Sequence, residues 1–424
     1  MSQPTKPGAG IPSLHGLGVL SGLAAGAWLG AAEAPTKLVT AGFSPFIISF
    51  GMVAGVFVAR WTLPVLVVGT ARLGDDLRRR PHLIVWAVLA GMLWVVANTL
   101  TVFAIRDVGL SIAFPLWNTN SLVGLFWGWL LFNELRGGAA RDWGKVAGGA
   151  LAIVLGACVL AYATSHQEAA AGQAWRGILA ALGAGLLWGT MYVPYRKAYI
   201  SGMNPFSFVT VFTVGELVTM TVLLLVFSGG AAGMARDLSA VRPALFWLFL
   251  GGFCWVIGDL FQQYAAKYIG IGRGIPLSNT NQLWGLAWAM FVFGELTGQP
   301  ATARALVVVG SLIMIVGAVL ISRAEASAAE RARWEEAAGR ERDRYGVEVW
   351  SGGEAAEAKS AAHGRRWWDA VIVLAALGVF AWLAVEAERQ ALSVSVPAAL
   401  ALGAATLTLL AYAAGQLWRK TGFE

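Results

Sequence analysis

The chain has 424 residues, of which 57% are hydrophobic and 13% charged, with a formal net charge of +7 and a mean hydropathy of +0.64. Soluble proteins carry about 25% charged residues, so a water-soluble fold of this length would lack polar surface. The Lys and Arg residues fall between apolar segments rather than along one face, which excludes nucleic acid as the partner of the basic balance.

A bilayer core about 30 Å thick needs roughly 20 apolar residues per helix. By that rule the predicted spans are 14–33, 43–68, 83–104, 109–132 and 143–163, then 177–197, 205–227, 244–266, 270–293 and 304–321, and last 369–387 and 395–418. The predicted fold is therefore an all-α polytopic membrane protein with twelve spans. On the first, Gly18, Gly22, Gly26 and Gly30 form a stripe along which a neighbouring backbone can approach closely. That span also has the outline of a signal peptide, but Pro35 would follow the cut and the segment has a counterpart in mid-chain, so no cleavage is expected.

Orientation follows from Lys and Arg near the span ends. With the N-terminus inside, Lys6, Arg72, Arg78, Arg79, Arg80, Arg136, Arg141, Lys145, Arg196, Lys197, Lys267 and Arg273 face the cytoplasm, and Arg60, read as lying near a helix end, leans the same way. Lys37, Arg106, Arg176, Arg236, Arg242, Arg304 and Arg389 fall outside. Residues 323–366, with nine acids and nine bases, and the C-terminal pair Arg419 and Lys420 join the inner side. The expected location is the cell (inner) membrane, with both termini cytoplasmic.

Shifted by 159 to 161 residues, the chain lies on itself. Gly26, Gly30 and Pro35 meet Gly185, Gly189 and Pro194, and GFSPF at 42–46 meets GMNPF at 202–206. Trp86, Gly91, Trp94 and Asn98 meet Trp247, Gly252, Trp255 and Asp259. The clearest block is PLWNTNSLVGLFWGWLLFNEL (115–135) against PLSNTNQLWGLAWAMFVFGEL (276–296). Five spans per copy is odd, so the second copy enters the membrane from the other side. Inverted repeats of this kind serve alternating access, with the solute held near the midplane. The expected organisation is a cytoplasmic N-terminus (1–13), repeat 1 (14–163), a connecting loop (164–176) and repeat 2 (177–322). A charged cytoplasmic linker (323–366) and two accessory spans with the tail (367–424) follow.

The 5+5 plan, the Phe-x-Glu-Leu ends of the fourth and ninth spans and the paired PLxNTN blocks resemble the drug/metabolite transporter superfamily. Within it the likeness is to the glucose/ribose porter and rhamnose transporter branch, over roughly 14–322. That resemblance implies uptake of a sugar, with a proton. Residues 323–424 depart from the ten-helix pattern, which leaves regulation and oligomerisation open.

Polar residues inside spans are functional candidates by default. Trp255, Asp259 and Gln262 share one helical face, as do Trp94, Asn98 and Thr101. An indole beside hydrogen-bonding groups suits a sugar, whose C–H face stacks on the ring while its hydroxyls take directional bonds. The alternative is that these residues pack against lipid and bridge helices. Asn118, Asn120, Asn279 and Asn281 follow Pro115 and Pro276 and can bond either a solute or carbonyls freed by the prolines, with Asn281 and Gln282 placed nearer the cavity. Asp259 and Glu216 are the two carboxylates inside core spans and the candidates for proton coupling, unless a cation lies close. Glu33, Glu134 and Glu295 sit at helix ends, where solvation or capping is expected, and Lys37 and Arg196 either anchor helix ends or gate.

His15, His82, His166 and His363 are scattered, and Cys158 and Cys254 lie singly in apolar runs, so neither a metal site nor a cofactor is expected. No nucleophile, metalloprotease or phosphate-loop motif is present, and the chain reads as no enzyme. The expected function is a secondary active carrier for a monosaccharide or similar hydroxylated solute. An exporter of drugs or metabolites is the alternative within carriers, and a membrane-embedded enzyme or receptor the alternative from another class. The run ERARWEEAAGRERDRY reads as a solvated helix in a linker, or as a surface for a homodimer or cytoplasmic partner.

Overall fold

The computed structural model describes residues 13–32, 43–108, 113, 116–137, 139–164, 174–294, 300–346, 365–388 and 394–423. Helices account for nearly all of them. Repeat 1 contains α1 (Leu14–Ala32), α2 (Pro45–Val67), α3 (Gly69–Arg79), α4 (Leu83–Val108), α5 (Asn120–Leu131) and α6 (Ala140–Thr164). Repeat 2 contains α7 (Ala174–Ile200), α8 (Pro205–Phe227), α9 (Ala231–Ile269), α10 (Ile271–Ser278), α11 (Asn281–Ala287) and α12 (Ala301–Ser322). Beyond it lie α13 (Ala328–Tyr345), α14 (Trp367–Val385) and α15 (Val396–Thr421). Pro45 and Pro205 stand in the first turns of α2 and α8, where a missing N–H costs nothing.

Among the described residues ten helices are long and apolar enough to cross a membrane. The chain is a multi-pass membrane protein. The two remaining predicted spans, 109–132 and 270–293, are not continuous helices. Each carries a turn at the Asn-Thr of its NTN block, Asn118–Thr119 and Asn279–Thr280, and the second ends in a π-helical turn at Trp288–Val292. Irregular backbone at membrane depth survives only where protein covers it. Cover comes from the glycine faces of α1 and α7. A Cβ at Gly26 would lie 2.3 Å from the Thr280 hydroxyl and one at Gly30 2.4 Å from the Asn281 carbonyl oxygen. Across the pseudo-symmetry, one at Gly185 would lie 2.8 Å from the Thr119 hydroxyl and one at Gly189 2.9 Å from the Asn120 carbonyl oxygen. Each repeat's first helix thus covers the other repeat's broken helix.

Four glycines bring α2, α4, α8 and α9 together in the same crossed manner. A Cβ at Gly55 would meet the Phe249 carbonyl oxygen at 2.0 Å, and one at Gly252 the Met52 carbonyl oxygen at 2.0 Å. One at Gly91 would meet the Phe212 carbonyl oxygen at 2.1 Å, and one at Gly215 the Val88 carbonyl oxygen at 2.1 Å. The repeat offset carries Gly55–Phe249 onto Gly215–Val88 and Gly252–Met52 onto Gly91–Phe212. In lipid such packing replaces the hydrophobic drive between helices.

Three expectations need correction. Helix α3 occupies basic residues 69–79, which hydropathy reads as a loop. Helix α9 starts at Ala231, well before the expected 244, and passes through Pro243 without a break. Residues 328–345 form a helix, as expected, and most of its surface is solvated, but one face is not: Glu330, Ala338 and Glu341 are buried against the core.

Candidate functional site

The site forms where α2, α4, α8 and α9 cross. Arg60, Glu216 and Asp259 are all 0% exposed there, so each ionised side chain needs a partner. Arg60 on α2 is fully buried and donates to both core carboxylates, Nη1 to Glu216 Oε1 at 2.9 Å and Nη2 to Asp259 Oδ2 at 2.6 Å. Both carboxylates are 0% exposed. Asp259 accepts a further hydrogen bond from Gln263 Nε2 at 3.1 Å, and Gln263 in turn accepts from the Tyr199 hydroxyl. The guanidinium lies over the Phe212 ring at 4.1 Å, with Trp94 and Trp255 at 5.9 and 5.7 Å. The Thr210 hydroxyl donates to the Arg60 carbonyl at 2.9 Å.

Arg60 is the principal correction to the sequence reading. It lies inside α2, not at its end. A cation that pairs with both carboxylates is therefore present. The signal was there: its repeat counterpart is Met220, as Val56 is that of Glu216 and Asn98 that of Asp259. All three charges are therefore additions to a site that is uncharged in the other copy. Gln263 and Tyr199 cannot be picked out from sequence, because neither stands apart without its partners.

The two candidate indoles come together, one from each repeat, with Trp94 and Trp255 ring centroids 5.0 Å apart at 53°. The Asn98 carbonyl accepts from Thr101, while its side-chain Nδ2 and the Trp94 Nε1 are buried without a partner among the described residues. Gln262 donates to the Ser278 hydroxyl at 2.5 Å, tying α9 to the end of α10.

The NTN residues divide by role. Asn279 Nδ2 donates to Asn120 Oδ1 at 2.8 Å and lies 3.4 Å from the Asn118 carbonyl, which also takes the Ser121 hydroxyl. These amides join the two broken helices. Asn281 Oδ1 and Gln282 Nε2, by contrast, are buried with no partner among the described residues, as is Asn118 Nδ2.

A second charged cluster lies at the end of the core assigned to the cytoplasm by loop charge. Glu134 is capping, as expected, but not solvated: fully buried, it accepts from the Ile271 and Gly272 N–H groups at 3.1 and 2.8 Å, closing the first turn of α10. Arg196, buried inside α7, pairs with it at 3.2 Å. Glu33, Lys37, Pro35, Pro115, Glu295, His166 and His363 lie outside the described residues. Among the described residues no group of three or more His, Cys, Asp or Glu is placed to hold a metal ion.

Residues 175–323 match the EamA-like transporter family. Two relatives carry the name "Putative sugar uptake protein". One, from Lactobacillus johnsonii, is 35% identical over 91 residues, 20% of this chain and 31% of its own. The other, from Listeria innocua, is 22% identical over 238 residues, 56% of this chain and 78% of its own. The chain thus spans about a third of the first relative's length and most of the second's. A crystal structure aligns over 72% of this chain and 95% of its own at 16% identity, with a TM-score of 0.47. Residues 175–323 are thus similar to the EamA-like transporter family, within a multi-pass membrane protein.

Proposed function

We propose that the chain is a secondary carrier for uptake of a monosaccharide or similar hydroxylated solute, coupled to a proton, in the cell (inner) membrane with both termini cytoplasmic. The observation that carries the coupling is the charge count of the central cluster. One guanidinium faces two fully buried carboxylates, so the fully ionised cluster holds one negative charge in excess. An uncompensated buried charge costs several kcal/mol, on the order of the penalty for one ion, and binding one proton removes it. A carboxylate that must bind a proton to cross the closed state and release it when opened is the element that coupling requires. Because the three charges come from both repeats, a rocking motion of one against the other alters their distances.

The solute reading rests on two features: the paired indoles Trp94 and Trp255, suited to a sugar's C–H face, and the unspent hydrogen-bonding capacity of Asn98, Asn281 and Gln282, suited to its hydroxyls. Asn118, Asn120, Asn279 and Gln262 support that wall through their contacts with one another and with Ser278. The names of the two relatives point the same way. Residues 14–322 form the transport core in this reading, and α14 and α15 are accessory.

Purified protein in proteoliposomes, given a panel of labelled sugars with and without a pH gradient, tests the proposal. Accumulation of a sugar driven by an acidic outside supports it. Movement of cationic drugs alone, driven outward, would replace uptake by export.

A further inference from the structure

Helix α13 lies outside both repeats, yet the sequence builds it as a defined element. The Ser327 hydroxyl accepts from the Glu330 N–H at 3.1 Å at its start, and Gly346 at φ 64° ends it. It is not held as a free linker. Arg273 in the first turn of α10 grips Glu330 with two hydrogen bonds of 2.7 and 2.8 Å, both side chains 1% exposed. One turn on, Trp334 lies under the Arg196 guanidinium at 4.4 Å. Near the C-terminal end, Glu341 accepts from Lys197 and from the Ser201 hydroxyl (2.8 Å), and pairs with His82 Nε2 at 3.7 Å. Tyr345 stacks on His82 at 3.7 Å and 5°.

These anchors belong to different moving parts. His82 precedes α4 in repeat 1, whereas Lys197, Ser201 and Arg273 belong to repeat 2. Arg196 links the cluster to Glu134, which follows α5 of repeat 1. Beneath the helix lies a cavity of about 400 Å³, lined by Tyr199, Lys267, Arg273, Trp334 and Ala338 among others. The helix therefore spans the seam between the repeats at one end of the core.

We propose that α13 is a latch that holds this end of the core shut and must leave its dock for the carrier to open on that side. The inference rests on the alternating-access reading, since only then must the anchors separate. A buried bidentate pair with both partners present is hard to break while docked, but Glu330 and Glu341 regain water once α13 swings out. Arg273 and Lys197 face the opened vestibule at the same moment. The dock thus separates two low-energy states, both with solvated or paired charges, which is what a two-position element needs.

The test uses the full chain with Cys158 and Cys254 replaced by alanine and Ala198→Cys as reporter. Ala198 is fully buried beside Lys197, so a thiol there reacts only when this end opens. Glu330→Gln should speed its labelling in inside-out vesicles about tenfold, and Glu341→Gln, at a partly exposed pair, about threefold. Lys197→Glu combined with Glu341→Lys should return labelling to the starting rate, which a merely unfolded variant cannot do. Unchanged labelling in both single variants would overturn the latch, and so would failure of the charge exchange to restore it. Labelling needs no transported solute, so a protein that moves no sugar in the panel still answers this question.

Discussion

Two buried charge clusters divide the molecule. Where α2, α4, α8 and α9 cross, Arg60 faces Glu216 and Asp259, one cation against two anions. At the core's end Arg196 pairs with Glu134 and Arg273 with Glu330, one guanidinium for each carboxylate. Each carboxylate there has a guanidinium of its own, and Glu134 is also fixed by two backbone N–H groups, so this cluster ties elements together. The central cluster sets one guanidinium against two carboxylates, and its members have uncharged counterparts in the repeat. Only an unbalanced cluster has reason to exchange a proton. In the proposed coupling, the difference between a structural charge cluster and a proton-exchanging one is one charge.

The largest effect should come from Arg60→Met, which copies the counterpart Met220 and leaves two buried carboxylates without their shared cation. A destabilisation of about 3–5 kcal/mol is expected, seen as loss of folded protein in a detergent melting series. Adding Glu216→Val and Asp259→Asn, the other two counterpart residues, should recover the melting temperature while leaving no proton coupling. If the triple variant melts as low as Arg60→Met, the cluster's charges are not what sets the cost.

Arg273→Gln should cost less, about 1–3 kcal/mol, because Glu330 sits on a helix that can turn it toward water. It should leave the pH dependence of transport unchanged. A shift in that dependence would erase the distinction between the clusters. Asn279→Ala should be smaller still, about 1 kcal/mol for the lost bond to Asn120, read by melting, with coupling intact.

The smallest effect concerns pH at α13. Burial pushes the His82 imidazole below its ordinary value, outweighing the pull of Glu341. Burial alone would raise the Glu341 carboxyl, but hydrogen bonds from Lys197 and Ser201 hold it below the usual range. Both groups bind protons less readily in the docked state than in water, so docking is strongest at neutral pH and weakens on acidification. It should loosen first as pH falls below about 6.5, where free histidine charges, and further below about 4, where free carboxylates protonate. Hydrogen exchange of the α13 amides, corrected for intrinsic rate, should quicken in that order. Exchange that slows on acidification contradicts the assignment.

Much of the fold is readable in the sequence because lipid imposes simple rules: span length, glycine stripes, and a repeat offset that survives in NTN and its neighbours. Asp259 and Glu216 stand out for the same reason, as ionisable groups in apolar runs. Arg60 does not, because counting loop charges favours assigning any Arg to a span end. Its place sixteen residues into a 23-residue helix becomes plain only when α2 has firm bounds. The dock of α13 is beyond sequence reading in a different way. Its capping residues can be read locally, but its partners Arg273, Lys197 and His82 lie 57 to 259 residues away along the chain from Glu330 and Glu341.

The unbalanced cluster is tested most directly by comparing two kinds of transport in Asp259→Asn proteoliposomes. Asparagine keeps the side chain's shape and its bond with Gln263 while leaving Arg60 and Glu216 as a neutral pair. Exchange of labelled for unlabelled solute across the membrane should then persist, while accumulation driven by a pH gradient should vanish. Accumulation by Asp259→Asn with the wild-type pH dependence would contradict the account.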